Sequence, residues 1–202
     1  MDRQSIRKTM RAQRRSLNSS QQKDSAANLL GNLNTQDWYL HAGIVAGYLS
    51  NDGEIDLTLA INDLAARKKL VTLPKVESNL GQMQFQFWTP GDPLIDNRYG
   101  ISEPASGKIC DVSAHSLILT PLVAFDADGN RVGMGGGYYD RSLKNSKSSG
   151  GGPLIVGVAY DFQQFDALSA EPWDVPLDAV ITDKKVIPIS AKMKSLTGTN
   201  LA

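Results

Sequence analysis

Gly129–Leu143 reads GNRVGMGGGYYDRSL and sets five glycines within nine residues directly before two tyrosines, an aspartate and an arginine. The segment follows an apolar run of strand character, SLILTPLVAF (Ser116–Phe125), and leads into a helical pattern from Tyr138 to about Ser146. Residues without Cβ let main-chain N–H groups approach a phosphate closely, and a helix starting there adds the positive end of its dipole. A second glycine tract, KSSGGGP (Lys147–Pro153), has nothing reactive beside it and reads as a flexible surface loop. That contrast marks the first tract as a phosphate-binding candidate, against the alternative of a tight turn with incidental polar neighbours. No Gly-Lys-Ser/Thr follows, and the βαβ setting of a dinucleotide G-x-G-x-x-G is missing. A P-loop NTPase and a Rossmann dehydrogenase are therefore disfavoured.

Working outward, Asp2–Leu17 has helical spacing, with Arg3, Arg7 and Arg11 on one face, Arg14 and Arg15 continuing it, and Ile6, Met10 and Leu17 as a thin apolar stripe. Ser19 and Gln22 fit a capping box for a helix from about Ser20 to Leu33. Gly43–Ser50 (GIVAGYLS) and Leu70–Pro74 (LVTLP) are strand-length apolar runs flanking a helix that Asp56 is placed to cap. Gln82–Trp88 alternates strictly, which predicts a half-exposed strand with an antiparallel partner. Thr89–Gly107 is Pro- and Gly-rich, long for a loop, and is the candidate lid. LIVGVAY (Leu154–Tyr160), DAVITD and KVIPI supply further strands, and the tail after Ile189 is expected to fray. Strands alternating with helices predict an α/β fold: one three-layer domain, residues 1–202, with a mostly parallel central sheet flanked by helices.

The 202 residues are 41% hydrophobic, enough for one sizeable core. Twenty-one basic residues balance 21 acidic ones, so overall charge gives no reason to seek nucleic acid or an anionic membrane. Cys110 is the only cysteine, which rules out an internal disulfide and points to a reducing compartment. It has no evident partner histidine and reads as a small buried side chain, while His41 and His115 lack metal-ligand spacing. Trp38 and Trp88 read as residues of the core or its rim. The first residues lack the apolar run of a secretory signal, although they are Arg-rich and acid-poor as transit peptides are. No window reaches the ~20 apolar residues of a membrane span. The expectation is a soluble, cytoplasmic monomer.

GNRVGMGGGYYDR resembles the signature of the 5-formyltetrahydrofolate cyclo-ligase family. RQSIRKTMRAQRRSL, YLSNDGEID, TLPK, FWTPGDPL, YGISEP, LTPLVAFD and WDVPLDAVIT follow in the family's order, so the resemblance runs from residue 3 to about 182. It implies ATP-dependent conversion of 5-formyltetrahydrofolate to 5,10-methenyltetrahydrofolate, with ADP and phosphate released after phosphorylation of the formyl oxygen. It assigns ATP to Arg3, Arg7, Arg131, Gly133, Gly135, Gly136, Gly137, Tyr138 and Tyr139. It assigns folate to Leu49, Glu54, Met134 and the Gly135–Tyr138 run, and a magnesium ion to Asp140 and Asp174. Arg131 and Tyr138 are the implied catalytic pair, Tyr138 nearest the formyl oxygen and Arg131 stabilising developing charge.

Three positions depart from the family pattern. Arg3 stands where lysine is usual, exchanging a point donor for a planar fork. Met134 replaces a common aromatic and can still pack on a flat ring, and Trp173 replaces a histidine beside Asp174. On residues alone, Arg3 and Arg7 also fit a solvated basic face or a nucleic-acid patch, Glu54 a polar turn, and Asp140 a first-turn helix residue. Two rivals follow: a related ATP- or phosphate-binding enzyme acting on another small substrate, and a non-catalytic RNA binder using the basic helix.

Overall fold

The computed structural model describes residues 1–77, 81–146 and 152–198, so Lys147–Gly151 of the second glycine tract lies outside the described residues. In chain order the elements are α1 (Arg3–Ser16), α2 (Ser19–Leu33), α3 (Asp37–Leu40), β1 (Ile44–Ala46), α4 (Thr58–Ala66), β2 (Leu70–Glu77) and β3 (Gln82–Phe87). There follow β4 (Leu94–Asp96), β5 (Ser102–Pro104), β6 (Ile109–Cys110), β7 (Leu117–Pro121), β8 (Ala124–Phe125) and β9 (Arg131–Val132). The last are α5 (Tyr138–Leu143), β10 (Leu154–Ala159), β11 (Ala179–Thr182), β12 (Val186–Pro188) and α6 (Ala191–Leu196).

Eight strands form one sheet in the order β12-β11-β10-β7-β1-β2-β3-β6. The inner run from β11 to β2 is parallel, while β12 at one edge and β3 and β6 at the other are antiparallel. Strand alternation splits the apolar residues between two cores. Val45, Leu117, Leu119, Val156 and Ile181 face α2, α4 and α6, whereas Ala46, Ile118, Ile155 and Val180 face the opposite side. Every residue of β10 is buried, as expected for a central parallel strand covered on both faces. The second face carries less helix than the first. Leu143 of the six-residue α5 and the Val175–Leu177 stretch cover much of it.

A third cluster joins α1 to the β8–β9 hairpin through Ile6, Met10, Val123, Val132 and Leu168. Helix α1 begins where Asp2 accepts hydrogen bonds from the Gln4 and Ser5 amides. Its buried positions are Ile6, Met10 and Arg14, four residues apart, so an arginine occupies a place in the stripe expected to be apolar.

Several boundaries differ from the sequence reading for local reasons. The capping box of α2 is built by Asn18 and Gln21, one residue earlier than Ser19 and Gln22. Asp56 holds the start of α4 from two residues upstream, accepting from the Thr58 amide and hydroxyl. Ser116–Phe125 is two strands, because the Leu122 and Val123 carbonyls turn aside to accept from Gln163. The Thr89–Gly107 stretch contains the β4–β5 hairpin rather than being structureless. The tail forms α6, where Ser190 accepts from the Met193 amide and Met193 is fully buried.

The β8–β9 hairpin carries Arg131 and launches the glycine segment, and buried Asp126 fixes its turn. Its carboxylate accepts from the Asp128, Asn130 and Leu168 amides and from Asn130 Nδ2 at 2.9–3.0 Å. Asp126→Ala strips four donors of their acceptor in a buried setting and is expected to lower unfolding free energy by about 2–4 kcal/mol. Denaturant unfolding checks this, with a fall in midpoint at unchanged slope as the expected result.

Candidate functional site

The carboxyl ends of β1, β2 and β7 open into a cavity of about 510 Å³. Leu49 follows β1, Leu73 to Val76 belong to β2, and Pro121 and Leu122 close β7. The chain steps from β1 to β2 on one side and later returns to β7 on the other, so the cavity sits at the reversal of strand order. Open α/β sheets bind ligands at such a crevice.

The glycine segment forms one wall. Gly133, Met134, Gly136, Gly137, Tyr138, Tyr139 and Asp140 all line the cavity with Arg131. Gly137 adopts φ 63° as the N-cap of α5, and a Cβ there would lie 2.7 Å from Arg141 Nη1. That guanidinium ties the bend down, Nη2 donating to the Gly136 carbonyl and Nε to that of Gly81. Arg131 is buried and donates to the Val175 carbonyl and to Asp140 Oδ1, the latter at 2.5 Å. The Val175 amide donates to the same carboxylate oxygen at 3.1 Å.

The opposite wall is the Asn51–Glu54 turn, set by α1. Asp52 and Gly53 both have left-handed backbones, φ 53° and 73°, and a Cβ on Gly53 would lie 3.1 Å from the Arg14 carbonyl carbon. The turn can therefore press against α1 only as glycine. Asp52 accepts from Arg11 Nε at 2.6 Å, from Arg14 Nη2 at 3.1 Å and from Arg15. Arg14 is fully buried, 3.9 Å from Glu54 Oε1, and also donates to the Leu122 carbonyl. Glu54 accepts from the Asn51 amide, and burial pushes its carboxyl up to about 7 against the opposing pull of Arg14. Tyr139 faces the Glu54 charge; burial first and that charge second push its hydroxyl well above the ordinary tyrosine range, and the hydroxyl has no partner among the described residues.

The β4–β5 hairpin supplies a third wall through Asn97, Tyr99, Ile101 and Ser102. At its tip, Arg98 Nη2 donates to Tyr138 Oη at 2.8 Å, and the Tyr99 and Tyr138 hydroxyls are 2.6 Å apart. These bonds, the one to Tyr99 first, hold the Tyr138 hydroxyl below its ordinary pKa.

Leu49, Glu54, Arg131, Gly133, Met134 and the run from Gly136 to Asp140 thus meet in one cavity, with Gly135 beside Arg7 rather than in the lining. Arg7 Nε donates to the Gly133 carbonyl at 2.8 Å and so braces the glycine segment from behind. Arg3 pairs with Asp174, whose carboxylate also accepts from the Glu171 amide. This pair lies beside Val175 and outside the lining, while Trp173 next to it is 66% exposed. Among the described residues no three His, Cys, Asp or Glu side chains gather as a metal cluster. Asp140 and Asp174 each have one carboxylate oxygen engaged by an arginine.

Sequence reasoning missed Arg98, Tyr99 and Asp52, and it left Arg11 and Arg14 without partners. A signal for the hairpin was available: Asn97 and Gly100 frame a five-residue connection, with the Asn97 side chain accepting from the Tyr99 and Ile101 amides. Nothing comparable marks Arg14 as buried, because the helical period cannot say which face will meet a carboxylate.

Fold and cavity together define an α/β enzyme with a small-molecule site at its strand ends. The profile of the 5-formyltetrahydrofolate cyclo-ligase family matches residues 1–183, and the chain belongs to that family. The 5-formyltetrahydrofolate cyclo-ligase of Escherichia coli K12 is 38% identical, over 88% of this chain and 98% of its own. That of Haemophilus influenzae is 36% identical, over 87% and 94%. The solved 5,10-methenyltetrahydrofolate synthetase of Aquifex aeolicus superposes with a TM-score of 0.81 at 33% identity, covering 94% of this chain and 93% of its own. None of these relatives supports the alternative small substrate.

Burying Glu54 has a measurable consequence for stability. A carboxyl raised from 4.5 to about 7 on folding keeps its proton where the unfolded chain has lost it. Stability is therefore full below about pH 4.5 and falls as pH rises to about 7, by up to roughly 3 kcal/mol. Glu54→Gln should abolish that fall, so the variant gains on the wild type between pH 4 and pH 8; parallel urea titrations across that range test it.

Proposed function

We propose that this cavity performs the ATP-dependent cyclisation of 5-formyltetrahydrofolate to 5,10-methenyltetrahydrofolate, releasing ADP and phosphate. The observation that carries the reading is the convergence of a buried carboxylate, Glu54, and a glycine-tyrosine wall on one crevice at the carboxyl strand ends. A formamide oxygen is a poor leaving group. Transfer of the terminal phosphoryl group of ATP to it makes it a good one, the neighbouring folate amine attacks the formyl carbon, and phosphate departs as the ring closes.

Each wall has a part in this. The Glu54 carboxylate accepts from the N–H edge of the pterin, and Leu49 and Met134 pack on the flat ring. Gly133 to Gly137 present bare main chain to the phosphates, with Arg7 keeping the segment in shape from behind. Tyr138 orients the formyl oxygen, and Arg131 places positive charge beside the reacting group while it holds Asp140. A magnesium ion would be held by Asp140, with Asp174 the second candidate ligand. One or two carboxylates suit magnesium, which fills its shell with water and nucleotide oxygens and neutralises phosphate charge when bound.

The basic helix fits this reading better than an RNA-binding one, since Arg3, Arg7, Arg11 and Arg14 are all engaged by protein acceptors. Among the described residues no helix is long and apolar enough to cross a membrane. We read the enzyme as a cytoplasmic monomer, a single domain over residues 1–202, working on small molecules.

The test follows methenyl-folate absorbance with purified protein. Product and ADP are expected only when ATP, magnesium and 5-formyltetrahydrofolate are all present; ATP turnover indifferent to folate would overturn the reading. Glu54→Gln is expected to raise the folate KM by about tenfold or more, worth roughly 1.4 kcal/mol, with the ATP KM little changed. Asp140→Ala should raise the magnesium concentration needed for half-maximal rate.

A further inference from the structure

The hairpin tip is fixed too well for an exposed loop. Buried Glu103 accepts from the Val76 amide of β2 and from Asn97 Nδ2, both at 3.1 Å, and Lys75 Nζ donates to the Pro104 carbonyl at 3.1 Å. The base of the hairpin is thereby riveted to the sheet, and the Asn97 side chain sets the turn that carries Arg98 and Tyr99. Arg98 itself is exposed, so burial does not hold it where it is. It lies 4.9 Å over the Tyr99 ring and donates to Tyr138 Oη, while Arg141 lies 5.3 Å from the centroid of the Tyr138 ring on the α5 side.

We propose that Arg98, delivered by the β4–β5 hairpin, is a positioning residue that acts through Tyr138 by donating to its hydroxyl oxygen and leaving the hydroxyl proton to face the reacting formyl oxygen. The inference rests on the reaction assigned above and adds to it a residue from a different segment. A hydroxyl oxygen already accepting from a guanidinium is a stronger donor through its own proton, since hydrogen bonds in a chain polarise one another and charge assistance roughly doubles their strength. In the free enzyme the neighbouring Tyr99 hydroxyl shares a hydrogen bond with Tyr138. Substrate takes that place, and the Arg98 contact remains behind it. A donor on the formyl oxygen does not assist that oxygen's attack on ATP. It assists the second step, in which the oxygen leaves carbon with the phosphate and gains negative charge, so the effect of Arg98 belongs in kcat.

A double-mutant cycle tests this. Arg98→Ala is expected to lower kcat by about 10- to 100-fold with the KM values for ATP and folate within about twofold, the pattern of an interaction made in the transition state. In a Tyr138→Phe background the same change should cost less than about twofold, because the hydroxyl it works through is gone. Arg98→Lys, which keeps a charged donor, should recover part of the rate. Melting temperatures of all variants should agree within about 2 °C, since the contacts are exposed. Equal losses in both backgrounds, an unchanged kcat in Arg98→Ala, or an unchanged kcat in Tyr138→Phe would each overturn the proposal while leaving the cyclo-ligase reading intact. A wild-type enzyme that forms no methenyl product would overturn both.

Discussion

One carboxylate organises this molecule. Asp52, on a turn that must run left-handed, gathers the guanidinium groups of Arg11, Arg14 and Arg15 from consecutive turns of α1. Ion pairs at a surface contribute little, but Arg14 is fully buried, and a buried charge deprived of its partner costs several kcal/mol. Helix α1 therefore cannot drift from the turn without stranding a cation in the interior. Arg14 also touches the end of β7 and the Met134 sulfur, so one guanidinium connects two walls of the cavity and the strand end between them.

The buried charge at Glu54 is a consequence of that arrangement. The turn that satisfies Asp52 carries Glu54 into a place where burial outweighs the nearby Arg14, and its carboxyl rises to about 7. Such a group lowers the stability of the ligand-free protein at neutral pH and is relieved by a partner that donates to it. Strain of this sort at a site is a common exchange of stability for function. Tyr139, buried with an unpartnered hydroxyl against the same charge, is a second instance.

How much of this could be read from residues alone depended on range. The α/β alternation, the antiparallel Gln82–Trp88 strand and the glycine-tyrosine wall are local patterns, and the sheet carries them as expected. Arg98 escaped notice because its partner Tyr138 is forty residues away and only the hairpin brings them together. Arg14 looked like one more member of a basic face, since periodicity identifies a face but not the acceptor waiting for it. No local pattern supplies the arginine partners of Asp140 and Asp174, which lie nine and 171 residues away. Short-range chemistry was legible, and pairings made by the topology were not.

The Arg3–Asp174 pair joins residues 171 positions apart. A ribosome adding about 5–20 residues per second spends roughly 10–30 s between the two. Helix α1 therefore meets its acceptors in instalments as the chain lengthens: first the Asp52 bend, then the glycine segment after β9, last the stretch beside Val175. Helix α1 is thus among the last pieces to be fully seated, because its contact with Asp174 waits for a residue 171 positions downstream.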